Sequence, residues 1–483
     1  MNNWLTPSAD LVAVAHELVL VGGGIVLLLL EAFAPRLRRV TMPLASLTVL
    51  ATLAIPWNPL ARTTSFAGLL ESTGVTMTLS VIILIATLIS ILASGEYLRR
   101  YHLASGEYAA LLLWCAAGML LMLRATELLT VFVALELFSM CLYALAGYHR
   151  RSSMATEAAI KYFLMGAFVS AFALYGIALL YGHTGSTRFE DIAAALAGGG
   201  TLDPAVVMGL VLLIAAFGFK MSIAPFHAWA PDTYQGAPSP FVAFLSVAPK
   251  VASVAVLVRV VELATPDGGD ARWRLLIGAL AALSMILGNV LALVQRDIKR
   301  MLAYSGVAHM GYVLIPLAAW SHEGWRAITT YMLAYALMNA GAFAIISALY
   351  ARATEPHLIS EISGWGYRFP GLSMALAVCM LSLGGIPPTI GFLGKYLVFV
   401  DAIQAELIGL AVIGVLSSLV GAFYYLRIVY TLYMKEEETE PTQTVGIGSR
   451  LAALIAAGGI LALGLFPQAF LGIVERYIIA PLG

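Results

Sequence analysis

Fourteen apolar stretches follow one another along this chain, each near the roughly 20 residues that a helix needs to cross a hydrocarbon layer. They run over residues 11–34, 41–57, 75–98, 106–123, 127–148, 154–182, 204–229, 238–264, 273–294, 301–320, 326–350, 369–402, 405–434 and 451–473. Within lipid the backbone must satisfy its own hydrogen bonds, so each stretch is expected to be helical. Composition agrees. The chain of 483 residues is 61% apolar and 11% charged, against about 45–50% and about 25% for a soluble domain. That balance excludes a soluble enzyme and a disordered chain. Lys+Arg 27 equals Asp+Glu 27, so nothing gives the basic face that a nucleic-acid binder needs.

The first stretch does not read as a cleaved signal. It is too long, and Arg36, Arg38 and Arg39 follow it. The longest polar connections, 57–74, 183–203, 351–368 and 435–450, are too small for a second domain. The expectation is one all-α, polytopic membrane domain over 1–483. Its first three spans lie in 1–105, five more in 106–264, five in 273–434 and the last in 451–473. Basic residues in the connections fall fourteen on one side and seven on the other, which puts the richer side in the cytoplasm and both termini outside. Cys115, Cys141 and Cys379 sit singly in apolar runs, too scattered for a cluster, a zinc site or a disulfide framework.

Ionisable residues inside the apolar runs carry the functional information. Each costs at least about 2.5–3.5 kcal/mol near the bilayer centre. It is retained when it is paired, hydrated or useful. The candidates are Glu136, Lys161, Lys220, Lys250, His309 and Lys395. Glu157 and Lys161 are four residues apart and read equally well as a helix-end ion pair. His309 reads equally well as a core histidine bonded to a carbonyl. For Lys220, Lys250 and Lys395 packing alone is a weak explanation. Desolvation disfavours an ammonium and a nearby carboxylate favours it, so a lysine between the two effects can exchange protons. A row of such groups joined by water is a proton relay. Glu136 would set the charge of a neighbouring lysine, and the residues alone leave open which one.

Spans 7 and 12 carry prolines in mid-stretch. Pro225 lies five residues after Lys220, and Pro387 and Pro388 lie shortly before Lys395. Each removes a backbone donor and clashes with the preceding turn. Unwound backbone at membrane depth must be buried in protein or line a wet cavity. Spans 7 and 12 are five spans apart, which predicts two inverted five-helix repeats, spans 4–8 and 9–13, each with one broken helix. His227 and Asp232 follow in a turn-rich loop and make a poor metal site.

Five segments carry a resemblance: LELFSMCLYALAGY around Glu136, MATEAAIKYFLMGAFVSAF around Lys161, FKMSIAPFHAWAPDTYQGAPSPFVAFLSVAPK with Lys220 and Lys250, RDIKRMLAYSGVAHMGYVL with His309, and GGIPPTIGFLGKYLVF with Lys395. Over essentially its whole length the chain resembles the antiporter-like subunit N of the proton-pumping NADH–quinone oxidoreductase, respiratory complex I. Lys395 and the YQGAPSP loop favour N over the related subunit M, and the chain lacks room for the lateral helix of subunit L. The resemblance implies that Glu136 and Lys220 pair, that Lys250 is the central relay group and that Lys395 faces the exit. It implies neighbours K and M, contact with the lateral helix of L, and a bacterial inner membrane. No cofactor is expected in this chain; NADH, flavin, iron–sulfur clusters and quinone serve the whole complex. The competing expectations are a subunit of a multi-subunit cation/proton antiporter, which shares the fold, and a secondary transporter for a small solute.

Overall fold

A computed structural model describes residues 7–56, 63–197, 202–265, 271–321, 323–349, 355, 357–436 and 445–479. The principal helices are α1 (Ala15–Phe33), α2 (Thr41–Ala54), α3 (Gly74–Arg100), α4 (Ser105–Arg124), α5 (Leu128–Ala146), α6 (Ser153–Thr184), α7 (Pro204–Met221), α8 (Trp229–Gly236), α9 (Ser239–Leu245) and α10 (Ala248–Ala264). They continue as α11 (Ala271–Val294), α12 (Ile298–Ala319), α13 (Gly324–Tyr335), α14 (Gly341–Ala348), α15 (Pro370–Gly384), α16 (Ile390–Gln404), α17 (Ile408–Met434) and α18 (Ile447–Leu465).

Among the described residues, twelve helical segments are long and apolar enough to cross a membrane, with Pro370–Gly384 as a shorter apolar helix. Two of the fourteen expected spans differ for physical reasons. α2 has 14 residues, about 21 Å of helix. Span 12 is divided into α15 and α16 by the Gly385–Thr389 turn. The polar connection around 57–74 holds a short hairpin, β1 (Thr63–Ser65) antiparallel to β2 (Leu70–Ser72) with Ser65 opposite Leu70.

Polar side chains cap the helix starts. Thr73 accepts from the Thr76 N–H at 3.2 Å, Asp203 from Ala205 at 2.7 Å and Asp297 from Arg300 at 2.9 Å. Each satisfies a donor that the helix leaves open. Pro204 begins α7, where its missing N–H costs nothing.

Burial separates an inner group from a rim. Nearly all of Ser239–Ala264, Gly324–Ala348 and Ile298–Ala319 is buried, with Glu262 exposed near the end of the first, while α1 and α18 bury far fewer of their residues. The inner group contains α9, α10, α12, α13 and α14, so Lys250 and His309 belong to the most enclosed part of the fold.

The breaks fall where the prolines predict. α7 stops at Met221, with Ser222 left-handed (φ 61°), and Ala224–Pro225 is cis. The freed groups are taken up by protein: Ile223 N–H donates to the Gly218 carbonyl at 2.8 Å, Ala224 N–H to Ser284 Oγ at 3.0 Å, and the Trp229 indole to the Phe219 carbonyl at 2.8 Å. α15 stops at Gly385 (φ +80°), a conformation that favours glycine. Span 8 is also interrupted, at Ser246–Val247 between α9 and α10, one turn before Lys250. Pro249 in the first turn of α10 is the sequence signal for that second start.

Candidate functional site

Lys220 lies in the last turn of α7 and is 2% exposed. Its Nζ donates to Ser139 Oγ at 2.8 Å and lies 3.5 Å from the Tyr143 hydroxyl, both on α5. The rings of Tyr143 and Tyr162 lie 5.4 and 5.9 Å from it, within range of a cation–π attraction. Glu136 is half-buried one turn before Ser139 and accepts from Ser170 Oγ on α6. No ion pair within 4 Å links Glu136 to Lys220 among the described residues. Ser139 holds the ammonium, and the expected Glu136–Lys220 pair is not a direct contact: Glu136 stands one helical turn before Ser139 and bonds Ser170 instead.

Lys250, in the first turn of α10, is fully buried. Its Nζ donates to the Tyr335 hydroxyl at 3.2 Å and lies 5.9 Å from the Tyr234 ring. Asn339 donates to the same Tyr335 oxygen at 3.1 Å from a π-helical turn, Ala336–Ala340. Gly306 on α12 makes room: a Cβ there would sit 2.8 Å from both Lys250 Nζ and Tyr335 Oη.

His309 stands in mid-α12. One ring nitrogen, Nδ1, meets the Tyr331 hydroxyl at 2.8 Å, and Nε2 meets Tyr425 at 3.0 Å. Tyr425 also bonds Ser305. A neutral imidazole donates with one nitrogen and accepts with the other, so it can take a proton on one side and release one on the other. The reading of His309 as bonded to a carbonyl is thereby replaced by two phenols.

Lys395, on α16, is held by the broken end of α15. Its Nζ donates to the carbonyls of Leu383 at 3.0 Å and Gly384 at 3.1 Å, and to Ser418 Oγ on α17 at 2.8 Å. Carbonyls freed at a helix C-terminus carry partial negative charge and suit an ammonium. The Tyr312 ring lies 5.3 Å away, and its hydroxyl connects through Asn289 to Tyr424.

Of the two readings of Lys161, the structure favours the helix-end ion pair with Glu157 over a buried relay group. Its side chain is 45% exposed and lies 2.8 Å from both Glu157 and Asp232. Asp232 also takes Arg300 at 2.6 Å, Arg300 donates to Gln235, and Gln235 donates to Asp297 at 2.9 Å. Lys161 thus belongs to a polar network tying α6, α8 and α12 together at one end of the molecule. Hydropathy places a residue within a stretch but does not say which side of the helix it occupies.

The tyrosines went unread at the sequence level. Tyr143, Tyr162, Tyr234, Tyr312, Tyr331, Tyr335 and Tyr425 all lie against the three lysines or His309. Their signal was a phenol in mid-stretch, away from the interfaces where tyrosine usually gathers.

Three buried ammonium groups beside helix breaks, and a buried imidazole in mid-α12, each held by hydroxyls or carbonyls, sit inside a bundle of membrane-length helices. The model of a family described as NADH:quinone oxidoreductase/Mrp antiporter, transmembrane, matches residues 125–421. Subunit N 1 of NADH-quinone oxidoreductase from Herpetosiphon aurantiacus is 38% identical, covering 99% of this chain and 98% of that one. Subunit N from Salinibacter ruber is 40% identical over 95% of this chain and 92% of its own. A chain of respiratory complex I from Thermus thermophilus superposes with a TM-score of 0.78 at 34% identity, covering 95% of this chain and 98% of that chain. The chain belongs to the family of subunit N of NADH-quinone oxidoreductase. A chain of the Mrp complex from a Dietzia species, at 20% identity and TM-score 0.80, shares the fold.

Proposed function

We propose that this chain is the antiporter-like membrane subunit of NADH–quinone oxidoreductase and carries protons along Lys220, Lys250, His309 and Lys395. Electron transfer from NADH to quinone, with its flavin and iron–sulfur clusters, takes place in other subunits. The observation that carries the reading is three lysines, each at most 6% exposed, beside broken helices in a chain with full-length subunit N relatives.

The chemistry follows from burial. An ammonium taken out of water is destabilised, and hydroxyls, carbonyls or a carboxylate restore it. Two unit charges about 10 Å apart at an effective dielectric of about 20 repel by roughly 1.7 kcal/mol. A proton arriving at one lysine therefore weakens the hold of the next, and charge moves along the row. Glu136 is the carboxylate partner of Lys220, acting through space, and Lys161 with Asp232 anchors the broken span.

In this reading spans 4–8 and 9–13 form two inverted repeats within one membrane domain, supported by a lysine at each break. The chain lies in a bacterial inner membrane with K and M as neighbours and the lateral helix of L alongside. The two-to-one excess of Lys and Arg supports termini on the outer side.

Replacing Lys220 or Glu136 by Ala in the assembled complex and following NADH-driven proton uptake into inverted vesicles tests the assignment. Pumping is expected to fall in both variants. Undiminished pumping and quinone reduction in both would overturn it.

A further inference from the structure

Between Lys220 and Lys250 the proton path meets three aromatic side chains, Tyr162, Trp229 and Tyr234, none more than 1% exposed. Tyr162 stacks on Trp229 with ring centroids 4.5 Å apart, and Trp229 meets Tyr234 edge-on at 6.1 Å. Lys220 Nζ lies 5.9 Å from the Tyr162 ring, and Lys250 Nζ lies 5.9 Å from the Tyr234 ring. The Trp229 N–H is committed to the Phe219 carbonyl, so the indole cannot relay.

The two phenols differ from the others on the axis. Tyr143, Tyr312, Tyr331, Tyr335, Tyr424 and Tyr425 each have a hydrogen-bond partner. The hydroxyls of Tyr162 and Tyr234 are buried with none among the described residues. An unmatched buried hydroxyl costs about 1–3 kcal/mol. Phenylalanine fills the same ring space without that cost, so packing alone favours it at both positions. Two unmatched hydroxyls flank one indole, between two lysines.

We propose that the hydroxyls of Tyr162 and Tyr234 hand protons between Lys220 and Lys250 around the Trp229 ring, with water molecules completing the contacts. The inference rests on the relay reading above. The Lys220 ammonium gives a proton to the Tyr162 oxygen as the phenol's own proton moves on. Tyr234 receives a proton in the same way and releases its own to the neutral Lys250 amine. Each oxygen ends with the one proton it began with, Lys220 ends neutral and Lys250 ends charged. The O–H bonds break and form in pairs, and no phenolate accumulates.

The test uses Tyr162→Phe and Tyr234→Phe in the assembled complex, with NADH-driven proton uptake, quinone reduction and thermal stability all measured. Tyr433→Phe is the control, because its hydroxyl is also unmatched but lies off the axis beside Gly366 and Tyr367. The expected result is a roughly tenfold or larger fall in pumping rate for the two axis variants, with stability unchanged or higher, and normal pumping for Tyr433→Phe. A hydroxyl with only a structural role would shift stability and leave pumping intact. Lys220→Ala measured in parallel separates the two claims. If Lys220→Ala abolishes pumping while both phenylalanine variants pump normally, the tyrosine relay is wrong and the lysine axis stands. If Lys220→Ala pumps normally, the lysine axis itself fails.

Discussion

Gly306 matters because of what it leaves empty. A methyl group there would lie 2.8 Å from Lys250 Nζ and from Tyr335 Oη, and one of them must move. Gly306→Ala is expected to lower the proton-pumping rate with normal assembly of the complex, read by NADH-driven quenching of a pH-sensitive dye. Asp297 lies just outside the spans. Burial alone would push its carboxyl up, but His357, the Arg300 N–H, Lys299 and Gln235 outweigh burial and hold it below the ordinary carboxylate range. A depressed folded-state pKa stabilises above the unfolded value of about 3.9 and is lost as pH falls through the folded value. Asp297→Asn should therefore lower thermal stability at neutral pH and show a shallower loss of stability on acidification below about pH 4. The lysines were legible as residues because an ammonium in oil needs a reason. The phenols were not: tyrosine enters apolar runs at little cost, and only the fold reveals which hydroxyls meet an amine. For Lys161 the ion pair with Glu157 was legible from the four-residue spacing and is present; its second partner, Asp232 on α8, comes from 71 residues away and was not.

At the scale of elements, prolines announced two breaks, and the protein closes both with its own donors and acceptors. The interruption at Ser246–Val247 was not read: span 8 stands as one stretch over 238–264, and Pro249 beside Lys250 was the overlooked signal. The π-helical turn at Ala336–Ala340 was not legible: nothing in ALMNA distinguishes it from ordinary helix, and within it Asn339 donates to Tyr335. A buried ion pair fixes the rim to the inner helices. Glu17 on α1 lies 2.8 Å from Arg124 at the end of α4, with side chains 6% and 7% exposed. Removing one partner strands the other charge, so Glu17→Ala is expected to cost about 3–5 kcal/mol. Thermal denaturation of the purified complex checks this through loss of this chain from the assembly; an unchanged midpoint would mean that the pair carries no net stabilisation.

For the whole molecule, the arrangement joins an expensive interior to a line of transfer. Mostly buried helices carry Lys250, His309 and Tyr331, and α17, on the outer side, contributes Tyr425. Lys250 lies between the Lys220 and Lys395 breaks in sequence, and among the described residues its ammonium has one hydrogen-bond partner, Tyr335. The most direct measurement is therefore the ratio of protons translocated to electrons transferred in Lys250→Ala, using the assembled complex in sealed vesicles. The account predicts a large fall in translocation with the complex intact. Full translocation together with full quinone reduction would contradict it, because charge would then be crossing this fold without its central amine.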